Sequence, residues 1–84
     1  MRKIIQKEKI ITRLGEEVKV SLIEDIDEEM LELGLDIDVC TIYAVDVKSE
    51  ESWYMNDYKV YSRKTNAEKS YKATLSKIKN LYVY

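Results

Sequence analysis

The chain has 84 residues, 45% hydrophobic and 36% charged, with a formal net charge of −2, no histidine, no proline and a single cysteine. This composition fits one folded domain over residues 1–84 and excludes a disordered chain, an internal disulfide, a Cys/His zinc site and a histidine general base. The small total charge hides an uneven distribution. Between Lys19 and Lys48 lie nine carboxylates and no Lys or Arg: Glu24, Asp25, Asp27, Glu28, Glu29, Glu32, Asp36, Asp38 and Asp46. Both flanks are net basic.

In chain order, residues 3–14 are rich in β-branched Ile and stop at Gly15, which favours a strand over a short helix. Val18, Val20 and Leu22 alternate with Glu17, Lys19 and Ser21, so a second strand follows a hairpin turn at Gly15-Glu16. Helical spacing takes over at Asp25, where Ile26, Met30 and Leu33 make one apolar stripe. Asp25 with Glu28 has capping-box spacing and Gly34 sits where helices end, which predicts about two turns with an acidic first turn.

Ile37, Val39, Thr41, Tyr43, Val45 and Val47 then read as one face of a strand, with Cys40, Ile42 and Ala44 on the other. Apolar on both sides, this strand is expected at the centre of its sheet. A polar loop follows over Lys48–Ser52, and Trp53–Arg63 reads as an aromatic strand interrupted at Asn56-Asp57. Thr65 with Glu68 gives a capping box for a helix over residues 66–80. Its stripe is Ala67, Tyr71, Thr74, Leu75 and Ile78, and Lys69, Lys72, Lys77 and Lys79 point away.

The expected fold is α+β: an antiparallel sheet of about four strands, a short acidic helix between strands two and three, and a C-terminal amphipathic helix packed on one face. The apolar run Val39–Val45 is far shorter than the roughly 20 residues of a membrane span, and the N-terminus lacks an apolar signal region. With one cysteine, these features point to a reducing cytoplasm and to no membrane partner.

Two surfaces could carry function. Asp25, Asp27, Glu28, Glu29, Glu32, Asp36 and Asp38 can imitate phosphates and dock on a basic region of another protein. The same run also suits a solvated helix face. Pairs such as Asp25/Asp27 and Asp36/Asp38 raise a divalent-metal reading, but neither run has the ligand order or central glycine of a calcium loop, so no metal or other cofactor is expected. The second surface is the helix with Lys69, Lys72, Lys77 and Lys79, which with Tyr82 and Tyr84 nearby could track a nucleic-acid backbone. The acidic stretch repels such a polyanion, which ranks a protein partner first. Oppositely charged parts of one chain can also pair head to tail, which adds a homo-oligomer as a third reading. Only two glycines and no histidine leave neither a phosphate-cradling loop nor an activated nucleophile, so no enzymatic activity is expected.

The passage Tyr58-Lys59-Val60-Tyr61-Ser62-Arg63-Lys64-Thr65-Asn66-Ala67-Glu68-Lys69-Ser70-Tyr71 resembles the strand-to-helix passage of small phage and prophage proteins of low-GC Gram-positive bacteria. It covers about a fifth of the chain, and Asn66 stands where Gly is more usual. The resemblance implies a small accessory protein, in some cases an inhibitor of host defence of the anti-CRISPR type, and it assigns no site residue.

Overall fold

A computed structural model describes residues 2–50 and 56–82, with only the backbone of Tyr82. Four strands, β1 (Lys3–Ile11), β2 (Glu17–Ile26), β3 (Thr41–Lys48) and β4 (Asp57–Tyr61), form an antiparallel sheet in sequence order. Two short helices, α1 (Glu28–Glu32) and α2 (Ile37–Cys40), are inserted between β2 and β3, and the long α3 (Lys64–Tyr82) closes the chain. The expected α+β architecture is therefore the one adopted. Among the described residues no helix is long and apolar enough to cross a membrane.

The strand pairings sort the side chains by face. Val18, Val20 and Leu22 on β2 lie opposite Ile10, Glu8 and Gln6 on β1, and Val20 and Leu22 lie opposite Val47 and Val45 on β3. Residues directly opposite share a face, and this is the face that α3 covers with Ala67, Tyr71 and Ile78. Val18, Val20 and Leu22 are fully buried there, each contributing roughly 1.5–3 kcal/mol by leaving water. The register of β1 slips between Ile4 and Gln6, and the extra residue, Ile5, packs against this core. Tyr61, opposite Tyr43, donates its hydroxyl hydrogen to Ser70 Oγ (2.7 Å) and ties β4 to α3.

On the other face Ile23 and Ala44, directly paired, are also buried, so the expectation of a two-sided central strand holds for β3 at Ala44. Ile42 is only half-buried. Above this face the Arg2 guanidinium donates to the Tyr58 hydroxyl (3.2 Å) with its carbon 5.7 Å from the ring centre.

Five boundaries differ from the sequence reading. The first strand stops at Ile11 and not at Leu14, because the turn closed by the Gly15 amide on the Thr12 carbonyl begins before it. The first helix starts later, because β2 keeps pairing through Asp25–Ile42 and Ile26–Thr41; Asp27 caps it and Asp25 does not. That ladder ends at Ile26–Thr41, so residues 37–40 have no strand to pair with and coil instead, the Asp36 carbonyl accepting from the Val39 and Cys40 amides. The long helix starts earlier, since the Ala67 amide already bonds the Arg63 carbonyl, and Thr65 lies inside its first turn rather than capping it. Asp57 begins β4 instead of interrupting it, while the expectations for Trp53, Tyr54 and Met55 lie outside the described residues.

Candidate interaction surface

Residues 27–40 form a lobe at the tip of the β2–β3 hairpin. At its base the Asp27 amide donates to the Cys40 carbonyl (2.7 Å). The Asp27 carboxylate accepts from the Glu29 and Met30 amides at 3.1 and 3.3 Å, satisfying donors that a helix start leaves free. At the other end of α1 the chain turns through Gly34 at φ +85°, with the Gly34 amide on the Leu31 carbonyl and the Leu35 amide on that of Met30. This is the double bond of a Schellman cap, and its left-handed position suits glycine. The Thr41 hydroxyl then donates to the Ile37 carbonyl at 2.8 Å.

Two short helices of five and four residues cannot build a core of their own. Glu28, Glu29, Glu32, Asp36 and Asp38 are exposed, as expected of a solvated acidic run. So are Leu31, Leu33, Leu35, Ile37 and Val39, with Leu33 81% exposed. Carboxylates and large aliphatic groups thus share one surface, and no basic residue falls within it.

Cys40 is the buried pivot of the lobe. Its Sγ contacts the Leu35 carbonyl at 3.7 Å. Burial, followed by the nearby Asp27 and Asp36 charges, pushes its thiol pKa above the ordinary value, which disfavours the reactive thiolate.

The structure gathers six of the seven acidic residues singled out from sequence into this lobe, with Asp27 turned inward as the cap. Asp25 stands apart. It is half-buried on β2, and its Oδ1 accepts from the Ile26 amide at 2.8 Å. Asp25 and Asp27 therefore serve backbone donors within the fold. Among the described residues no three carboxylate or cysteine groups converge as metal ligands.

Lys69, Lys72, Lys77 and Lys79 are all exposed on α3. At about 100° per residue they fan over an arc of roughly 160° instead of making one stripe. Lys79 is already engaged, its Nζ 2.8 Å from a Glu8 Oε2 that is tucked away from water and has no other hydrogen-bonding partner. The Tyr82 side chain and Tyr84 lie outside the described residues.

The sequence reading missed the aliphatic half of the lobe. Its signal was present: residues 31, 33, 35, 37 and 39 are all Leu, Ile or Val, with Glu, Gly or Asp between them. No protein-family model matches the chain, and no curated protein or solved structure matches it either.

Proposed function

We propose that this protein is a non-enzymatic binding protein that docks its acidic lobe on a basic region of another protein, and that it acts as an inhibitor of the phage type its strand-to-helix passage resembles. The observation that carries the reading is the pairing of exposed Leu33, Ile37 and Val39 with Glu28, Glu29, Glu32, Asp36 and Asp38. Carboxylates steer a basic partner and set register, while desolvated aliphatic groups supply holding energy that charge alone does not. A solvated face with no role needs no aliphatic groups. The nucleic-acid alternative has less support, because the helix lysines are dispersed and Lys79 is held by Glu8.

The test is affinity capture from a low-GC Gram-positive host lysate with three baits, followed by surface plasmon resonance on whatever protein is recovered. The baits are the wild type, Glu28→Lys/Glu29→Lys/Glu32→Lys, and Lys69→Glu/Lys72→Glu/Lys77→Glu. The lobe variant is expected to lose the partner, with a slower on-rate at low salt, while the helix variant keeps it. Equal affinity for wild type and lobe variant rejects the proposal.

A further inference from the structure

The lysines that the sequence scatters are brought together at the end of the sheet remote from the lobe. Lys9 pairs directly with Lys19, and Lys19 with Lys48, so three ammonium groups form one row across β1, β2 and β3 on the face away from α3. Like charges directly opposite each other in a sheet are destabilising. The acids beside the row offset it weakly, with Glu17 3.6 Å from Lys19 and Asp46 3.7 Å from Lys48 in pairs where both lysines stay more than half exposed. This end also carries exposed aliphatic groups, Ile11 on β1 and Leu14 in the β1–β2 turn, the latter 77% exposed.

Hydrogen bonds tie the described residues of that end together. The Ser49 hydroxyl donates to the Glu17 carbonyl and the Ser49 amide to Asn56 Oδ1, both at 2.7 Å. In the turn, the Glu16 amide donates to the Thr12 hydroxyl oxygen at 3.2 Å.

We infer that the Lys9–Lys19–Lys48 row, with Ile11 and Leu14, is the docking site for the acidic lobe of a second copy of this chain. The two surfaces are complementary in kind: exposed carboxylates with Leu33 and Ile37 on one, and on the other three exposed lysines, partly offset by Glu17 and Asp46, with Ile11 and Leu14 at the same end of the sheet. The lobe of a chain does not reach its own row. The Lys19–Lys48 rung and the Ile26–Thr41 rung at the base of the lobe lie about 23 Å apart at about 3.3 Å per residue, on a molecule 48 Å long. The contact joins two different patches, so it is heterologous: it closes into a reciprocal pair or a ring where the rotation between copies closes and propagates into open chains where it does not. It rests on the reading of the lobe as the binding element, and it adds a regulation: the assembled form occupies the lobe, and a partner with a denser basic surface releases it.

Sedimentation equilibrium over a range of concentrations and salt tests this. In about 20 mM NaCl the weight-average mass is expected to climb with concentration above the 9.9 kDa monomer. In about 0.5 M NaCl, where the screening length is about 4 Å, it should return to the monomer. Lys9→Glu/Lys19→Glu/Lys48→Glu and Glu28→Lys/Glu29→Lys/Glu32→Lys should each be monomeric alone, and an equimolar mixture should assemble again because each variant supplies the sign the other has lost. Circular dichroism checks that both are folded; if either is not, the glutamine versions replace it and should weaken assembly without reversing it. A wild type monomeric at low salt, a row variant that assembles like wild type, or a mixture that stays monomeric overturns the inference. A labelled single-stranded oligonucleotide that binds the wild type, is lost in the row variant and blocks assembly would also overturn it, assigning the row to nucleic acid. The row variant keeps the lobe intact, so its capture of a host protein measures the proposed function separately.

Discussion

The helix-covered face of the sheet and the lobe at its tip are both rich in aliphatic side chains, yet they dispose of them in opposite ways. On the covered face Val18, Val20 and Leu22 have no exposure at all, because a nineteen-residue helix lies across them. In the lobe Leu33, Ile37 and Val39 are more than half exposed, because helices of five and four residues offer nothing to pack beneath. Residue type alone does not decide burial; a second layer does. Exposed aliphatic groups among carboxylates are the surface on which the proposed docking rests.

The largest test of this contrast is Leu22→Ala, expected to cost about 2–5 kcal/mol in urea melts, against a change within about 0.5 kcal/mol for Leu33→Ala. Comparable losses at both sites would show that Leu33 is buried and would remove the apolar half of the proposed docking surface. Next comes Gly34→Ala. No atom lies within 4 Å of the added Cβ, so the cost is backbone strain alone, about 1–2 kcal/mol for a left-handed residue. It should loosen the lobe while leaving the sheet, a difference that hydrogen exchange resolves: faster exchange at Leu33 and Leu35, unchanged exchange at Val20. Asp27→Ala should cost about 0.5–2 kcal/mol by removing the cap of α1, and thermal melts that place it equal to Asp38→Ala would remove Asp27 from that role.

Smaller again is the response to alkali. Burial, then the charge of Glu8, raises the pKa of Tyr71 in the folded state, and burial, then Asp27 and Asp36, raises that of Cys40. Both groups are neutral in their favoured form. Their contribution is therefore complete below the unfolded pKa values, about 8.5 for Cys and about 10 for Tyr, and declines as pH rises toward the folded ones. Urea melts should show a decline starting above about pH 8.5, with Cys40→Ser removing its first part. A stability that rises over that interval would contradict the burial of both groups.

What could be read from the sequence follows the same division. The stripe Ala67, Tyr71, Leu75 and Ile78 and the alternation Val18, Val20, Leu22 each match one period cleanly, and each became an element packed as expected. Residues 31–39 alternate like a strand and carry caps like a helix. The deciding fact, that the β2–β3 ladder stops at Ile26–Thr41, is a register and not a local preference. The lysine row was hidden for the same reason: Lys9, Lys19 and Lys48 meet only once the pairing of three strands is known.

Cys40 gives the lobe a chemical clock. It is the only thiol in the chain, it is sealed at the point where the lobe joins the sheet, and its thiolate is disfavoured while that junction is closed. Because its Sγ is buried, Cys40 reacts with a maleimide only when the structure around it opens, so the labelling rate reports that local opening. Anything that seats on residues 28–39 and steadies them should slow that rate, whereas a ligand held only at the far end of the sheet should leave it unchanged.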